Sequence, residues 1–277
     1  MRGKRILVIG GSGFLGSVIV QKLGKDVVIA DYSKPIHNLE NRFLNLNLLD
    51  NNNIFKFIND FEVIINCVGQ ITNPINDCLK INTIGIYNLV NAINQCNKIK
   101  LFHVSTVAVY GSAKNVNELT PINPETPYAS NKAFAEFIIS NTNNNEFCII
   151  RIPNVYGEAQ QKGVFAYFKK SFLSDKKLFF DHNGDLLRYY LHVEDVADAI
   201  ISAVNNNLKG IFNLTSPDRF TIKELINLIE NNHNMKFELN YGTNKPLENI
   251  EFLDGSLFNK LTNFSPIKKV ADYIKLF

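Results

Sequence analysis

A run of four apolar residues, Ile6-Leu7-Val8-Ile9, stops at a glycine and passes directly into Gly10-Gly11-Ser12-Gly13-Phe14-Leu15-Gly16. The run is short and rich in branched side chains, as a strand buried on both faces should be, and the apolar spacing over residues 14–23 is helical. A strand that turns through glycines into a helix commits the chain to a β-α unit, and the pattern then recurs. Residues 27–30, 42–45, 62–66, 100–105 and 147–152 read as further strands, and helical patterns fill the gaps, notably over 76–95. Strands alternating with helices close through right-handed crossovers into a parallel, doubly wound sheet.

The expected fold class is therefore α/β, a Rossmann-type sheet with a smaller C-terminal substrate-binding lobe. After Arg151 the alternation loosens. A basic aromatic helix is expected at 165–172, a turn at Asn183-Gly184, a helix at 193–204, a strand at 210–214, and helices near 222–230 and 271–277. The division read from this is a nucleotide-binding domain over 1–155, to which 190–215 returns, and a substrate lobe built from 156–189 and 216–277. Asparagine clusters at 51–53, 143–145 and 205–207 fall at element ends, where Asn suits caps and turns.

At 277 residues, 45% hydrophobic and 20% charged, the chain is long enough for a well-buried core. The net charge of +3 arises from 29 basic and 26 acidic residues without a dense basic run, which argues against nucleic acid as partner. Cys67, Cys78, Cys96 and Cys148 show neither a CxxC pair nor close Cys/His spacing, so reduced thiols in an apolar interior are expected, with no metal site. No apolar run approaches the ~18 residues of a membrane span, and the N-terminal run is too short for a signal-peptide core, so a cytoplasmic protein without a membrane partner is expected.

The glycine loop stands where a dinucleotide loop stands, between a strand and a helix. Gly10 permits the turn, Gly13 lets the backbone approach a pyrophosphate, and Gly16 lets helix and strand pack closely. The helix start at Phe14 and Leu15 offers unpaired N–H groups and a partial positive charge to the phosphates. Asp31 closes the second strand about 20 residues on, where a carboxylate can hold the adenosine ribose hydroxyls and repel a 2′-phosphate, so NAD rather than NADP is expected. Tyr128 and Lys132 lie four apart behind Pro127, a helix-starting residue, and so share one helix face. Bringing a tyrosine from a pKa near 10 to about 7 takes roughly 4 kcal/mol of preferential phenolate stabilisation, and a nearby ammonium has the right sign.

Taken with Asn66-Cys67-Val68-Gly69, Asn82-Thr83-Ile84-Gly85, Val104-Ser105-Thr106-Val107-Ala108-Val109-Tyr110-Gly111, Arg151-Ile152-Pro153-Asn154-Val155-Tyr156-Gly157 and Arg188-Tyr189-Tyr190-Leu191-His192-Val193-Glu194-Asp195, these segments come in one family's order along nearly the whole chain. The chain resembles the extended short-chain dehydrogenases/reductases, the nucleotide-sugar epimerase/dehydratase group. The resemblance implies that Thr106, Tyr128 and Lys132 are catalytic, with Thr106 hydrogen-bonding the reacting sugar oxygen. It places Asn47 and Leu48 near adenine and Cys67, Val68, Gly69 and Asn82 along the cofactor, with Lys132 on the nicotinamide ribose. Asn154 and Arg188 match positions that contact a nucleotide-diphosphate sugar, and a guanidinium suits the diphosphate because its planar fork binds phosphate oxygens bidentately. His192 and Asp195 are expected to organise a strand-to-helix junction.

Departures from the family pattern narrow the reaction. The resemblance implies that 4,6-dehydratases carry an Asp-Glu pair directly after the Thr, where this chain has Val107 and Ala108, so dehydration is argued against. Two hydride-transfer readings are left, a 4-epimerase, which is the favoured one, and a 4-keto-6-deoxyhexose nucleotide reductase, supported by the short stretch of 36 residues between Arg151 and Arg188. A non-catalytic dinucleotide-binding relative is a third, opposed by the intact Thr106, Tyr128 and Lys132. Family members commonly pair as homodimers through two helices that here begin near Asn76 and Ala129.

Overall fold

Uninterrupted runs of Ile, Val and Leu can be buried on both faces only inside a sheet, and the computed structural model, which describes residues 5–35, 40–69, 74–96, 99–142 and 146–277, puts them there. The strands in the first half of the chain are β1 (Ile6–Ile9), β2 (Val28–Asp31), β3 (Phe43–Asn45), β4 (Val63–Asn66), β5 (Lys100–Thr106), β6 (Ala113–Val116) and β7 (Phe147–Ile152). Those in the second half are β8 (Asn154–Tyr156), β9 (Lys177–His182), β10 (Leu187–His192), β11 (Gly210–Asn213), β12 (Arg219–Thr221), β13 (Glu238–Asn244) and β14 (Ile250–Leu253). Between them run α1 (Phe14–Leu23), α2 (Asn51–Phe55), α3 (Ile75–Lys80), α4 (Ile86–Asn94) and α5 (Pro127–Ser140), followed by α6 (Val164–Phe172), α7 (Val193–Asn205), α8 (Ile222–His233), α9 (Ser256–Thr262) and α10 (Val270–Ile274).

Seven of the described strands form one parallel sheet in the order β3-β2-β1-β4-β5-β7-β11. The winding direction reverses between β1 and β4, which opens a crevice at the carboxyl ends of those two strands. Alternate residues of β1 serve opposite layers. Ile6 and Val8 pack with α1 and α7 through Ile19, Val20, Val196 and Ile200, whereas Leu7 and Ile9 pack with α2, α4 and α5 through Ile54, Leu89, Ala135 and Ile139. A third, aromatic-rich core joins Tyr156, Phe165, Phe168, Phe180, Tyr190 and Tyr273 around α6, α8 and α10. Beside it stand smaller sheets, β8-β10-β12, β9-β13 and β6-β14.

Several of these elements differ from the sequence-based expectation. The helix expected over 76–95 is α3 and α4 joined by a π-helical turn, Ile81–Gly85. Within that turn the side chain of Asn82 donates to the carbonyl of Cys78 at 2.9 Å and to that of Gly69 at 3.1 Å, so an amide side chain shares the carbonyl acceptors there. Strands β6, β8, β9, β12, β13 and β14 are not among the expected ones because they are short, alternate between buried and exposed residues as β9 does throughout, or, like β13, are largely exposed. The asparagines at 51–53 open α2 and those at 205–207 close α7, while the 143–145 cluster lies outside the described residues. His192 caps α7 by accepting the Glu194 N–H, and Asp195 accepts the N–H groups of Ile267 and Lys268, which anchors the C-terminal segment to the sheet. Cys67, Cys78 and Cys148 are buried and Cys96 half-buried, all as free thiols. Among the described residues no helix is long and apolar enough to cross a membrane.

The helix α5 is fixed by a buried ion pair. Glu136 accepts from Arg151 Nε at 3.1 Å through both carboxylate oxygens and from Nη2 at 2.6 Å, with both side chains almost fully buried. Arg151 Nη1 also donates to Tyr110 Oη at 2.6 Å, Tyr110 Oη donates to Asn213 Oδ1 at 2.8 Å, and Ser105 Oγ donates to Glu136. Removing one member strands the other charge. Glu136→Leu is expected to lower the unfolding free energy by roughly 3–5 kcal/mol, measured by urea titration. A loss within the scatter of ordinary surface substitutions would show that water or a neighbour compensates Arg151.

Candidate active site

The glycine loop and the segment after β4 face each other across the crevice. Gly10 takes φ +78° and donates to Ala30 O at 2.9 Å, and its own carbonyl accepts from Gly13 N at 3.1 Å. A Cβ on Gly16 would stand 2.0 Å from Gly10 O, so α1 can start this close to the loop only with glycine there. Gly13 caps α1 without a side-chain hydrogen bond, and no acidic residue occupies its first turn. The helix N-terminus over Phe14 and Leu15 therefore keeps its donors and partial positive charge for a ligand. Asp31, at the end of β2, accepts from Ser12 N at 3.0 Å and from Ser33 N at 3.3 Å, which holds its carboxylate against the loop.

On the other side, Gly69 has φ +106°, and a Cβ there would be 2.3 Å from Asn82 Oδ1 and 3.4 Å from Lys132 Nζ. The two loops touch, because a Cβ on Gly10 would come within 2.9 Å of Val68 Cγ2. Cys67 is buried, and burial pushes its thiol up to about 12 although Lys132 pulls the other way. Asn47 accepts from Leu49 N at 3.0 Å and is half-buried, whereas the Leu48 side chain sits in the core and its carbonyl accepts from Asn88 Nδ2 at 2.9 Å.

Thr126 caps α5 by accepting the Ala129 N–H at 3.2 Å, and Pro127 occupies the first turn. One turn of helix separates half-buried Tyr128 from fully buried Lys132. Lys132 Nζ donates to Val104 O at 2.7 Å and lies 3.3 Å from His103 Nε2. Burial lowers its pKa from the ordinary lysine value to about 8, with Glu136 opposing. Two residues beyond Val104, Thr106 ends β5 and caps the 3-10 turn Val107–Tyr110 by accepting from Ala108 N at 3.2 Å. That leaves the Thr106 hydroxyl hydrogen free of this contact. The turn itself packs against α5 and presents Val107 and Ala108 directly after the threonine.

Asn154 and Arg188 line a cavity of about 490 Å³ with Gln160, Phe180, Tyr190 and Ile222, on the side of the aromatic core rather than of the glycine loop. Gln160 Oε1 is buried there without a hydrogen-bond partner. Arg188 is tied to the segment 247–249: Nη1 donates to Glu248 O at 2.5 Å, Nη2 donates to Leu247 O at 2.8 Å, and the Glu248 carboxylate lies 3.6 Å from Nη2. Glu248 Oε1 in turn accepts from Thr126 Oγ1 at 2.5 Å, which connects Arg188 to the cap of α5.

A model of the NAD dependent epimerase/dehydratase family matches residues 6–215. A putative UDP-glucose 4-epimerase of Methanocaldococcus jannaschii is 33% identical over 267 residues, covering 88% of this chain and 86% of the relative. The chain belongs to the NAD-dependent epimerase/dehydratase family. The human dTDP-D-glucose 4,6-dehydratase is 27% identical and spans 90% of this chain and 81% of its own length. Among solved structures, a dTDP-glucose 4,6-dehydratase from Streptomyces venezuelae superposes with a TM-score of 0.90 at 21% identity, covering 98% of this chain and 95% of that one. The UDP-glucuronic acid 4-epimerase of Bacillus cereus superposes at 0.85 with 22% identity, covering 98% and 96%. Epimerases and dehydratases are both among these relatives, so similarity alone does not divide the two reactions within the family.

For a member of this family, the residues at the crevice fit a dinucleotide. Ser12 Oγ and Asn82 Oδ1 are buried without partners, one on each wall, and Cβ atoms at Gly16 and Gly69 would run into Gly10 O and Asn82. Gly10, Gly13, Gly16, Asp31, Gly69, Asn82 and Lys132 belong to the two facing loops or touch them, Tyr128 stands one turn before Lys132 on α5, Thr106 ends β5, and Asn154 and Arg188 line the cavity. Sequence reasoning missed His103, Gln160 and Glu248. A lone histidine in an apolar strand, a loop glutamine and a glutamate near the C-terminus carry no motif, and their contacts span up to 122 residues of chain. Gly16→Ala is expected to weaken dinucleotide binding at least tenfold and lower the melting temperature, read by calorimetric titration and thermal unfolding. Unaltered binding would mean that the loop relaxes away from Gly10 O.

Proposed function

We propose that this chain is an NAD-dependent nucleotide-sugar 4-epimerase, in which the domain over 1–155 with 190–215 holds NAD and the lobe of 156–189 and 216–277 holds the sugar nucleotide. The observation that carries the reading is the 3-10 turn behind Thr106, in which a buried Val107 and a half-buried Ala108 directly follow the threonine. Eliminating water from a sugar needs an acid and a base at that place. Neither side chain can supply a proton or take one, which supports redox chemistry at C4 without dehydration. The M. jannaschii relative, a putative UDP-glucose 4-epimerase, lends weight to the same reading.

NAD when bound supplies reversible hydride chemistry at the sugar carbon. The glycine loop and the start of α1 would hold the pyrophosphate, Asp31 the adenosine ribose, and Gly69, Asn82 and Lys132 the nicotinamide half. Tyr128 Oη takes the C4 hydroxyl proton as the 4-keto sugar forms and returns it afterwards. Thr106 donates its free hydroxyl hydrogen to the same sugar oxygen, and Lys132 stabilises the phenolate. Asn154 orients the sugar nucleotide, and Arg188 holds its diphosphate.

The assay is a panel of UDP-, dTDP-, GDP- and CDP-hexoses and their 4-keto-6-deoxy derivatives, incubated with NAD, once without added reductant and once with NADH; the epimerase is read in the arm without reductant. An epimerase equilibrates the C4 epimers under these conditions. Turnover only of 4-keto-6-deoxy sugars, with stoichiometric consumption of NADH, would establish the reductase that the compact stretch before Arg188 favours, and formation of a 4-keto-6-deoxy sugar would establish a dehydratase. Tyr128→Phe removes one hydroxyl and is expected to lower turnover by about 10²-fold or more while leaving NAD affinity unchanged. Full activity in that variant overturns the proton-transfer role.

The exposed sides of α4, its preceding turn and α5 carry Ile84, Tyr87, Phe134 and Phe137, the two phenylalanine rings stacked at 6.3 Å. A contiguous apolar patch of this kind marks an interface, and we propose that a second copy of the chain covers it. Sedimentation at twice the chain mass, reverting to one chain mass in Phe137→Asp, is the expected outcome, and a wild-type monomer at micromolar concentration overturns it.

A further inference from the structure

Behind Lys132 lies a chain of buried polar groups that the proposed reaction does not use. The Val68 N–H donates to Asn66 Oδ1 at 3.1 Å. A backbone N–H can only donate, so this contact fixes which end of the Asn66 amide faces which neighbour: the oxygen meets Val68 and the NH2 meets His103. Asn66 Nδ2 then donates to His103 Nδ1 at 3.0 Å. Nδ1 being the acceptor, the proton of the neutral imidazole is on Nε2. Nε2 points at Lys132 Nζ, 3.3 Å away, and Lys132 Nζ itself donates to Val104 O at 2.7 Å.

An ammonium has three hydrogens and no lone pair, so it cannot accept from Nε2–H. A neutral amine can, while still donating to Val104 O and keeping one N–H for the crevice at Gly69. His103, Asn66 and Lys132 are all fully buried, so no water replaces the contact at low cost. A charged imidazole is excluded on the same grounds, since burial and the neighbouring Lys132 both hold the His103 pKa well below the ordinary histidine value. The other groups facing Lys132 do not reverse this. Glu136, one turn along α5, favours the ammonium but has its carboxylate taken up by Arg151 and Ser105. Cys67 after β4 is kept as a thiol by burial, with Asp31 acting in the same direction, Cys78 on α3 hydrogen-bonds to Asn82 and Asn131, and Tyr128 stands one turn back on α5.

We propose that His103 is a positioning residue that, through its Asn66-fixed Nε2–H, favours the neutral amine of Lys132 in the ligand-free protein and releases it to take a proton when the dinucleotide binds. In that step Lys132 exchanges its contact with His103 for the ribose hydroxyls, the lone pair freed from Nε2–H accepts a proton from solvent, and Nε2–H is left as it was. The loaded site thereby favours the ammonium that assists Tyr128. This rests on the reading of the crevice as the NAD site given above.

Two measurements on the unaltered protein test it. Long-range nitrogen-proton NMR on imidazole-labelled protein is expected to find His103 as the neutral Nε2–H tautomer, and an Nδ1–H tautomer overturns the proposal. Calorimetric titration with NAD in buffers of different ionisation enthalpy, at a pH above the Lys132 value of about 8, is expected to show uptake of about one proton per chain. Binding without proton uptake overturns the proposal but leaves the NAD site standing, whereas failure of NAD to bind overturns the NAD reading itself. His103→Phe removes the donor and leaves burial alone to lower the Lys132 pKa, so the uptake at a pH just above 8 should fall; His103→Gln, which can restore an N–H near Nε2, should recover it. Uptake in the Phe variant equal to wild type overturns the proposal, and should that variant fail to fold, the tautomer and the wild-type uptake decide.

Discussion

Glu136 and Arg151 meet inside the protein with their charges shielded from water, and the geometry of the site depends on that contact. Glu136 belongs to the helix that carries Tyr128 and Lys132, Arg151 to the strand beside β5, and the hydroxyls of Ser105 and Tyr110 reach in from the strand and turn that flank Thr106. One buried pair therefore sets the rotation of α5 against the sheet and, with it, where the phenol stands relative to the threonine. Ion pairs of this kind contribute little net stability compared with apolar side chains of the same shape. Their value is orientation, since a rotation of α5 that moved Glu136 off Arg151 would leave two charges buried and unpaired.

What could be read from the sequence was what local patterns encode. The seven parallel strands came from short, largely apolar runs, buried throughout in β1 and β4, and the crevice from the glycines that follow β1, because each of those signals is complete within a dozen residues. The pieces that escaped are those whose meaning lies in partners far along the chain. Strand β14 looks like an ordinary loop until it pairs with β6, and Ala113 and Ile250 have nothing local in common. The π-helical turn at Ile81–Gly85 depends on Asn82 reaching Gly69, thirteen residues away on another loop. His103 is an apolar-strand residue by pattern and acquires a role only from the ring nitrogen that Asn66 occupies.

The Arg188 guanidinium shows the same limit from the opposite side. Its residue type and motif suggested a diphosphate contact, while the structure has it holding the carbonyls of Leu247 and Glu248, with the Glu248 carboxylate close by. Glu248 itself adopts φ +57°, a conformation few non-glycine residues accept, and is kept there by Thr126, Glu125 and Arg188 together. A phosphate approaching Arg188 meets a cation already shared with a carboxylate, so the 247–249 segment tunes how strongly the cavity draws an anion.

The parallel pairing of β14 with β6, together with the Asp195 contacts to Ile267 and Lys268, has a consequence for the order in which the molecule can be made. Residues 1–213 contain all seven strands of the large sheet, but the cap of α5, the neighbourhood of Arg188 and the aromatic core are closed by residues after 236. Synthesis runs from the N-terminus, so a growing chain can assemble the large sheet early yet holds an open, aromatic-lined half-cavity until the residues after 236 have emerged. The residues after 236 are in this sense a lock on that cavity, and a cut within them would open it while sparing the seven-stranded sheet.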